Sequence, residues 1–214
     1  TGQQKQRLVP GRGAVHGLAF SPDGRHLLIE ATDGVMRWDV PLGKEDGAVT
    51  ERSVAFSPSG DSFAVASGSA VTLWDTAQLR VRDRIQTGQQ DMRAVALSPD
   101  GRRFALRGKD GSIAVWGLEA QQQLFKLPAK FPVMWDSSAF SPDGKTLATG
   151  CLYVETVTMW DMPTGQRKLA LGGARAPVAF SPDGSLLATG GASNNIILWK
   201  AASGEQWRVL SGHL

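Results

Sequence analysis

Short apolar runs alternate with tight polar turns along the whole chain, and no stretch sustains a helical period. Runs such as Leu18-Ala19-Phe20 and Val54-Ala55-Phe56 end in Ser-Pro. A second apolar run follows, as in Phe63-Ala64-Val65-Ala66 or Leu186-Leu187-Ala188-Thr189. Between the two, Pro-Asp-Gly makes a tight turn, because proline presets φ and glycine accepts a positive φ. A Gly/Asp/Asn/Ser-rich turn comes next, at Asp33-Gly34, Gly68-Ser69, Asp110-Gly111 and Asn194-Asn195, and a third run ends in tryptophan. Positions one and three before that Trp are apolar at Val71 and Leu73, Ile113 and Val115, and Val157 and Met159, with Arg37 the exception. Many alternate positions are apolar or neutral too, which predicts a strand packed on both faces. A more polar fourth run follows a glycine turn, as in Gly165-Gln166-Arg167-Lys168-Leu169-Ala170-Leu171. It reads as an outer edge whose charge blunts aggregation.

This four-part pattern is a repeat. Phe20-Ser21-Pro22-Asp23-Gly24 recurs as Phe56 to Gly60, Leu97 to Gly101, Phe140 to Gly144 and Phe180 to Gly184. The serines step by 36, 41, 43 and 40 residues, and each is followed 17 to 19 residues later by Trp38, Trp74, Trp116, Trp160 or Trp199. Four short strands per repeat of this length read as propeller blades, which must stack because no single blade buries both faces. The expectation is an all-β propeller of four-stranded blades with about five blades present, in one domain over 1–214. Its repeats run 1–39, 40–75, 76–117, 118–161 and 162–199, with an extra outer strand over 200–214. Residues 1–9 align with 164–171 and read as the fourth strand of a preceding blade. Six outer strands for five inner sets point to a segment of a longer propeller. The alternative is a closed five-blade ring with one terminal strand frayed.

The markers resemble those of the WD-repeat β-propeller family. Trp-Asp stands at Trp38-Asp39, Trp74-Asp75 and Trp160-Asp161, drifts to Trp116-Gly117 and Trp199-Lys200, and a Gly212-His213 pair closes the chain. The uniform Ser-Pro-Asp-Gly wording is similar to bacterial members. The resemblance implies a propeller of about seven blades and a hydrogen-bonded tetrad of Gly-His histidine, second-strand Ser/Thr, turn Asp and Trp. Here no Gly-His precedes any of the five Ser-Pro markers. The turn Asp stands in register only at Asp110, and the second-strand Thr only at Thr149 and Thr189. Packing must therefore hold this propeller more than that network does.

Composition narrows the function classes. Of 214 residues, 42% are apolar and 20% charged, which excludes a disordered tail. No apolar run approaches the roughly 20 residues that span a bilayer, so no membrane role is expected. The single Cys151 rules out an internal disulfide framework or a cysteine-rich zinc site and fits a cytoplasmic setting. A net charge of +3 is too small to argue for nucleic acid.

The chemistry is equally sparse. Gly144-Lys145-Thr146 has Ala139 where a phosphate loop needs its first glycine, and it opens no helix. Gly11-Arg12-Gly13 lacks the third glycine of a dinucleotide fingerprint. His16, His26 and His213 are isolated, without ligand spacing. The inner triplets, including Val95-Ala96-Leu97, Ser138-Ala139-Phe140 and Val178-Ala179-Phe180, carry no carboxylate. No catalytic residue, metal site or cofactor is expected. A propeller hydrolase is the distant alternative, and it needs carboxylates or histidines around the channel. Arg80, Arg82 and Arg84 alternate through an outer strand, which reads as a charged soluble edge.

The resemblance places the loops before the first strand and between the second and third strands on one partner-binding face. Its longest and most aromatic members are Pro128–Asp136 and Gly150–Thr156. The expected site is Phe131, Trp135 and Tyr153 as anchors, with Arg12, Arg93 and Lys109 as a polar rim. The expected function is a non-catalytic protein- or peptide-binding platform, serving as sensor or docking module of a larger bacterial signalling or defence protein. The alternative is a structural propeller packed on other domains of its own chain.

Overall fold

The computed structural model describes residues 14–32, 34–50, 54–89, 93–108, 110–128 and 136–211, with the backbone alone at 93–95, 136 and 193. Five four-stranded antiparallel sheets follow one another along the chain, each with its strands in sequence order. The first sheet is β1 (Val15–Phe20), β2 (His26–Ala31), β3 (Gly34–Asp39) and β4 (Lys44–Val49). The second is β5 (Val54–Phe56), β6 (Ser62–Ser67), β7 (Ala70–Asp75) and β8 (Arg80–Gln86). The third is β9 (Arg93–Leu97), β10 (Arg103–Arg107), β11 (Ile113–Gly117) and β12 (Gln122–Leu127). The fourth is β13 (Asp136–Phe140), β14 (Thr146–Cys151), β15 (Val154–Asp161) and β16 (Arg167–Gly172). The fifth is β17 (Arg175–Phe180), β18 (Leu186–Gly190), β19 (Ile196–Lys200) and β20 (Gln206–Leu210). First strands of successive sheets touch, β5 with β9, β9 with β13 and β13 with β17, so they line the inside of a five-bladed propeller. The expected outer strand at residues 1–9 lies outside the described residues.

The Ser-Pro-Asp-Gly turn is held by more than proline and glycine. Ser21 Oγ donates to Asp23 Oδ1 at 2.6 Å and accepts the His26 N–H at 2.9 Å, while the Arg25 N–H reaches the same carboxylate at 3.0 Å. The set recurs at Ser98/Asp100 and at Ser141/Asp143. In the second sheet Ser59 replaces the aspartate, and Asp61 takes over as acceptor for Ser57 and Ser59. The serine hydroxyl, then the backbone N–H, holds Asp23 and Asp143 below the ordinary carboxylate range. The same donors bring Asp183 down to about 2.

Each blade junction presses two distinct faces together. The following-side face of one sheet carries the apolar residues one and three before its Trp; the preceding-side face of the next carries the Trp itself. Leu28, Val35 and Val49 meet Val54, Phe63 and Val65. Ala64, Val71, Leu73 and Ile85 meet Leu97, Phe104, Leu106 and Trp116. Ala105, Ile113, Val115 and Leu127 meet Phe140, Leu147 and Met162. Ala148, Val157, Met159 and Leu171 meet Val178, Leu187, Ile197 and Trp199. Burying one such large side chain is worth about 2 kcal/mol. Among the described residues, the following-side face of the fifth sheet has no such cover: Ala188, Ile196 and Leu198 are half-buried, and Ala179 and Leu210 are exposed.

Where the tetrad is partly present, it forms. Trp160 Nε1–H donates to Thr149 Oγ1 and Trp199 Nε1–H to Thr189 Oγ1, both at 2.9 Å. Register places Ile29, Val65 and Leu106 at the matching positions of the first three sheets, and there the indole N–H groups of Trp38, Trp74 and Trp116 are buried without a partner. Arg37, the polar exception in the pattern, clamps the first junction. Its guanidinium chelates Asp46 and donates to the carbonyls of Thr76 and Ala77 in the turn of the next sheet.

Candidate functional site

The loop face is built from first-strand starts and from the turns between second and third strands. Of the expected anchors, Tyr153 stands there, 66% exposed, beside Leu152, which is also exposed. Its N–H donates to Cys151 Sγ at 3.4 Å. The long loop expected over Gly150–Thr156 is instead a two-residue turn. β14 and β15 extend to Cys151 and Val154, and β15 is eight residues long. The valines and threonines of 154–158 continue the ladder, as their β propensity favours. Phe131, Trp135, Arg12 and Lys109 lie outside the described residues. The backbone of Arg93 opens β9, opposite Arg107, and its side chain is likewise outside them.

Beside Leu152 the structure forms a recess of about 540 Å³ that the sequence reading did not find. Pro177, Ala179, Ala188, Gly190 and Ile196 line it, together with Leu152, Arg175, Asn194 and Asn195. Three separate segments meet there, namely the β14–β15 turn, the start of β17 and the 3-10 turn Ala192–Asn194. Arg175 is paired with Glu155 across the fourth and fifth sheets, yet its Nε is buried without an acceptor. The carboxamides of Asn194 and Asn195 have no hydrogen-bond partner among the described residues. The only sequence signal was the Asn-Asn turn itself, which is also what a plain turn looks like.

The first strands run further toward this face than the inner triplets suggest. They add His16 in β1, Arg93 in β9, Asp136 in β13 and Arg175 in β17. His26 is not isolated as its spacing implies. Its Nε2 lies 3.7 Å from Asp46, and Asp39 completes a cluster with ligand atoms within 4.8 Å. Donors already occupy that cluster: Arg37 binds Asp46, and the Leu42 N–H binds Asp39 at 2.7 Å. Glu30, half-buried against the second sheet, has its carboxyl pushed up by burial. On the rim, β8 carries Arg80, Arg82 and Arg84 exposed, but the register shifts at Leu73/Trp74, so Arg82 falls in a bulge and the arginines do not form one alternating row.

Known proteins resemble the chain in the same terms. The family model for "WD domain, G-beta repeat" matches residues 42–75 and 178–200. The small ribosomal subunit protein RACK1y of Oryza sativa subsp. japonica is 32% identical over 112 residues, covering 51% of this chain and 32% of the relative. An uncharacterized WD repeat-containing protein of Synechocystis is 27% identical over 158 residues, 69% of this chain and 44% of the relative. Protein groucho of Drosophila melanogaster is 32% identical over 122 residues, 54% of this chain and 16% of the relative. The chain thus spans less than half the length of each of these relatives. Among the described residues no helix is long and apolar enough to cross a membrane.

Proposed function

Since this chain belongs to the WD-repeat family, we propose that it is a non-catalytic platform that binds a protein or peptide partner on its loop face. The observation that carries this reading is the exposed Leu152-Tyr153 turn, whose Leu152 lines the recess together with Asn194 and Asn195, their carboxamides without a partner among the described residues. Aromatic and aliphatic anchors next to unspent polar groups suit a peptide, whose side chain fills the recess and whose backbone meets the amides. Trp135 and Phe131 extend the anchor set, and Arg12, Arg93 and Lys109 the polar rim. Recognition is by shape and hydrogen bonding, with no bond chemistry, metal or cofactor. The Ser-Pro-Asp-Gly turns and the cyanobacterial relative support a bacterial setting. In that setting the platform is the cytoplasmic sensor or docking module of a larger signalling or defence protein.

The test is a capture experiment with the full-length parent, comparing wild type with Tyr153→Ala and Trp135→Ala, followed by calorimetry on whatever depends on those side chains. Either substitution should weaken binding by about 2 kcal/mol or more while circular dichroism stays unchanged. Identical capture by all three proteins would sink the assigned face. The uncovered side of the fifth sheet favours a second reading. In it, further sheets bring the ring to about seven, and the propeller packs against other parts of its own polypeptide.

A further inference from the structure

The junction of the first and second sheets differs from the later ones at the end away from the loop face. The position one before the Trp is Leu73, Val115 or Met159 at the later junctions and Arg37 here. The position two beyond the Trp packs toward the preceding sheet as Leu118, Met162 or Ala201 elsewhere, and is Thr76 here. Thr76 is fully buried, and its hydroxyl has no hydrogen-bond partner among the described residues. His26 Nδ1 is buried and unpaired in the same junction. Buried polar atoms are ordinarily bonded, so this end of the junction has polar capacity to spare.

Three ligand-bearing side chains converge there from adjacent strands. His26 opens β2, Asp39 closes β3, and Asp46 is the bulged residue of β4, since Arg37 pairs with Gly47 and Trp38 with Glu45. One ligand atom of each lies within 4.8 Å of the others. His26 Nε2 and Asp46 Oδ2 are 3.7 Å apart, too long for a hydrogen bond. That separation is close to the roughly 3.3–3.5 Å between two ligands about 2.1 Å from a tetrahedral ion. The set belongs to this junction alone among the described sheets. The bulged residue of the others is Arg82, Leu124, Lys168 or Trp207. The donors already on the cluster orient its carboxylates without exhausting them, since a carboxylate offers about four lone-pair sites. The Leu42 N–H takes Asp39 Oδ1, and Arg37 takes one site on each oxygen of Asp46. Hydrogen bonds of this kind hold the carboxylates of metal sites in place. Two carboxylates against one guanidinium also leave a net negative charge for a cation.

We propose that His26, Asp39 and Asp46 bind a divalent cation of the zinc class, with water in the remaining positions. One imidazole and two carboxylates are a donor set that suits Zn2+. Asp39 is buried and fixed, while Asp46 is exposed and supplies the small movement that closes the cluster around an ion. The site lies opposite the recognition loops, so it goes beyond the platform reading, and it is built from the first two sheets only. Its role is a structural tie. Arg37 holds Asp46 and also donates to the carbonyls of Thr76 and Ala77, so an ion that fixes Asp46 steadies the clamp between the sheets.

The 214-residue chain, stripped with a chelator and dialysed, is titrated with Zn2+ by calorimetry at about pH 7.5, where an ordinary histidine is neutral. Wild type should take up one ion per chain, and its melting temperature should rise with added Zn2+. His26→Gln and Asp46→Asn should each weaken uptake at least about tenfold and abolish that rise, with an unchanged circular dichroism spectrum. Asp46 is exposed, so its variant reads the site whether or not His26→Gln folds. His16→Ala, at an exposed histidine outside the cluster, should bind as wild type does. No uptake by wild type, uptake that survives Asp46→Asn, or uptake lost with His16→Ala overturns the proposal.

Discussion

A single methyl-for-hydroxyl difference separates the second sheet from the fourth and fifth. Thr149 and Thr189 each accept an indole N–H, whereas Val65 stands where the second sheet needs an acceptor and leaves Trp74 Nε1 buried and unpaired. Val and Thr have nearly the same shape, so the swap isolates the hydrogen bond. Thr149→Val should cost about 1–3 kcal/mol, because it strands a buried donor. Val65→Thr should stabilise by about 1 kcal/mol, with its own hydroxyl free to donate to the Thr72 carbonyl as Thr149 does to Thr158 at 3.4 Å. Urea unfolding of both variants against wild type checks the pair of signs. At this scale the sequence was readable where the side chain alone decides, as at Thr149 and Thr189. It was silent where partners decide. The serine and aspartate of the repeated turn bond to each other and to backbone two to five residues away, which Pro and Gly preferences do not reveal. Arg37 looked like a flaw in a strand and is a clamp between sheets.

Strands were legible because period and turn chemistry agree, and loops were not. The apolar triplets, the Trp-ended strands and the polar fourth strands all occur where alternation puts them. The register does not follow from alternation, since all five sheets carry a bulge on the fourth strand opposite the Trp. That bulge is why Arg80, Arg82 and Arg84 lose their common row. The recess was hidden for a related reason, as its walls come from turns about 40 residues apart that only blade stacking brings together. Turn glycines that look identical in sequence also differ once the sheets are stacked. Gly24 has a φ of +68° and nothing within 4 Å of a prospective Cβ. Gly60, with a φ of +76°, would place its Cβ 1.9 Å from the Phe20 carbonyl oxygen of the preceding sheet. Gly24→Ala should therefore cost about 1–2 kcal/mol from backbone strain alone. Gly60→Ala should cost about 3 kcal/mol or more, since strain and a clash with main chain add. Thermal melts of the two variants side by side give the comparison.

At the scale of the whole molecule, the sheets are links in a row, each stabilised by its neighbours more than by itself. The second, third and fourth sheets have a neighbour on either side, and their β6, β10 and β14 are buried nearly throughout. Among the described residues the fifth has one, and every residue of β20 is exposed, Trp207 and Val209 included. Such a row melts from its ends, so local opening should be graded along it rather than uniform. Native-state hydrogen exchange should find the slowest amides in β6 and β10 and the fastest in β20, with β19 and β18 between; uniform protection from β6 to β20 would count against the gradient. The uncovered side of the last sheet thus has a thermal meaning as well as a spatial one. Whatever settles on it adds a neighbour to the weakest link, and binding there would be read out as slower exchange in a strand it need not touch.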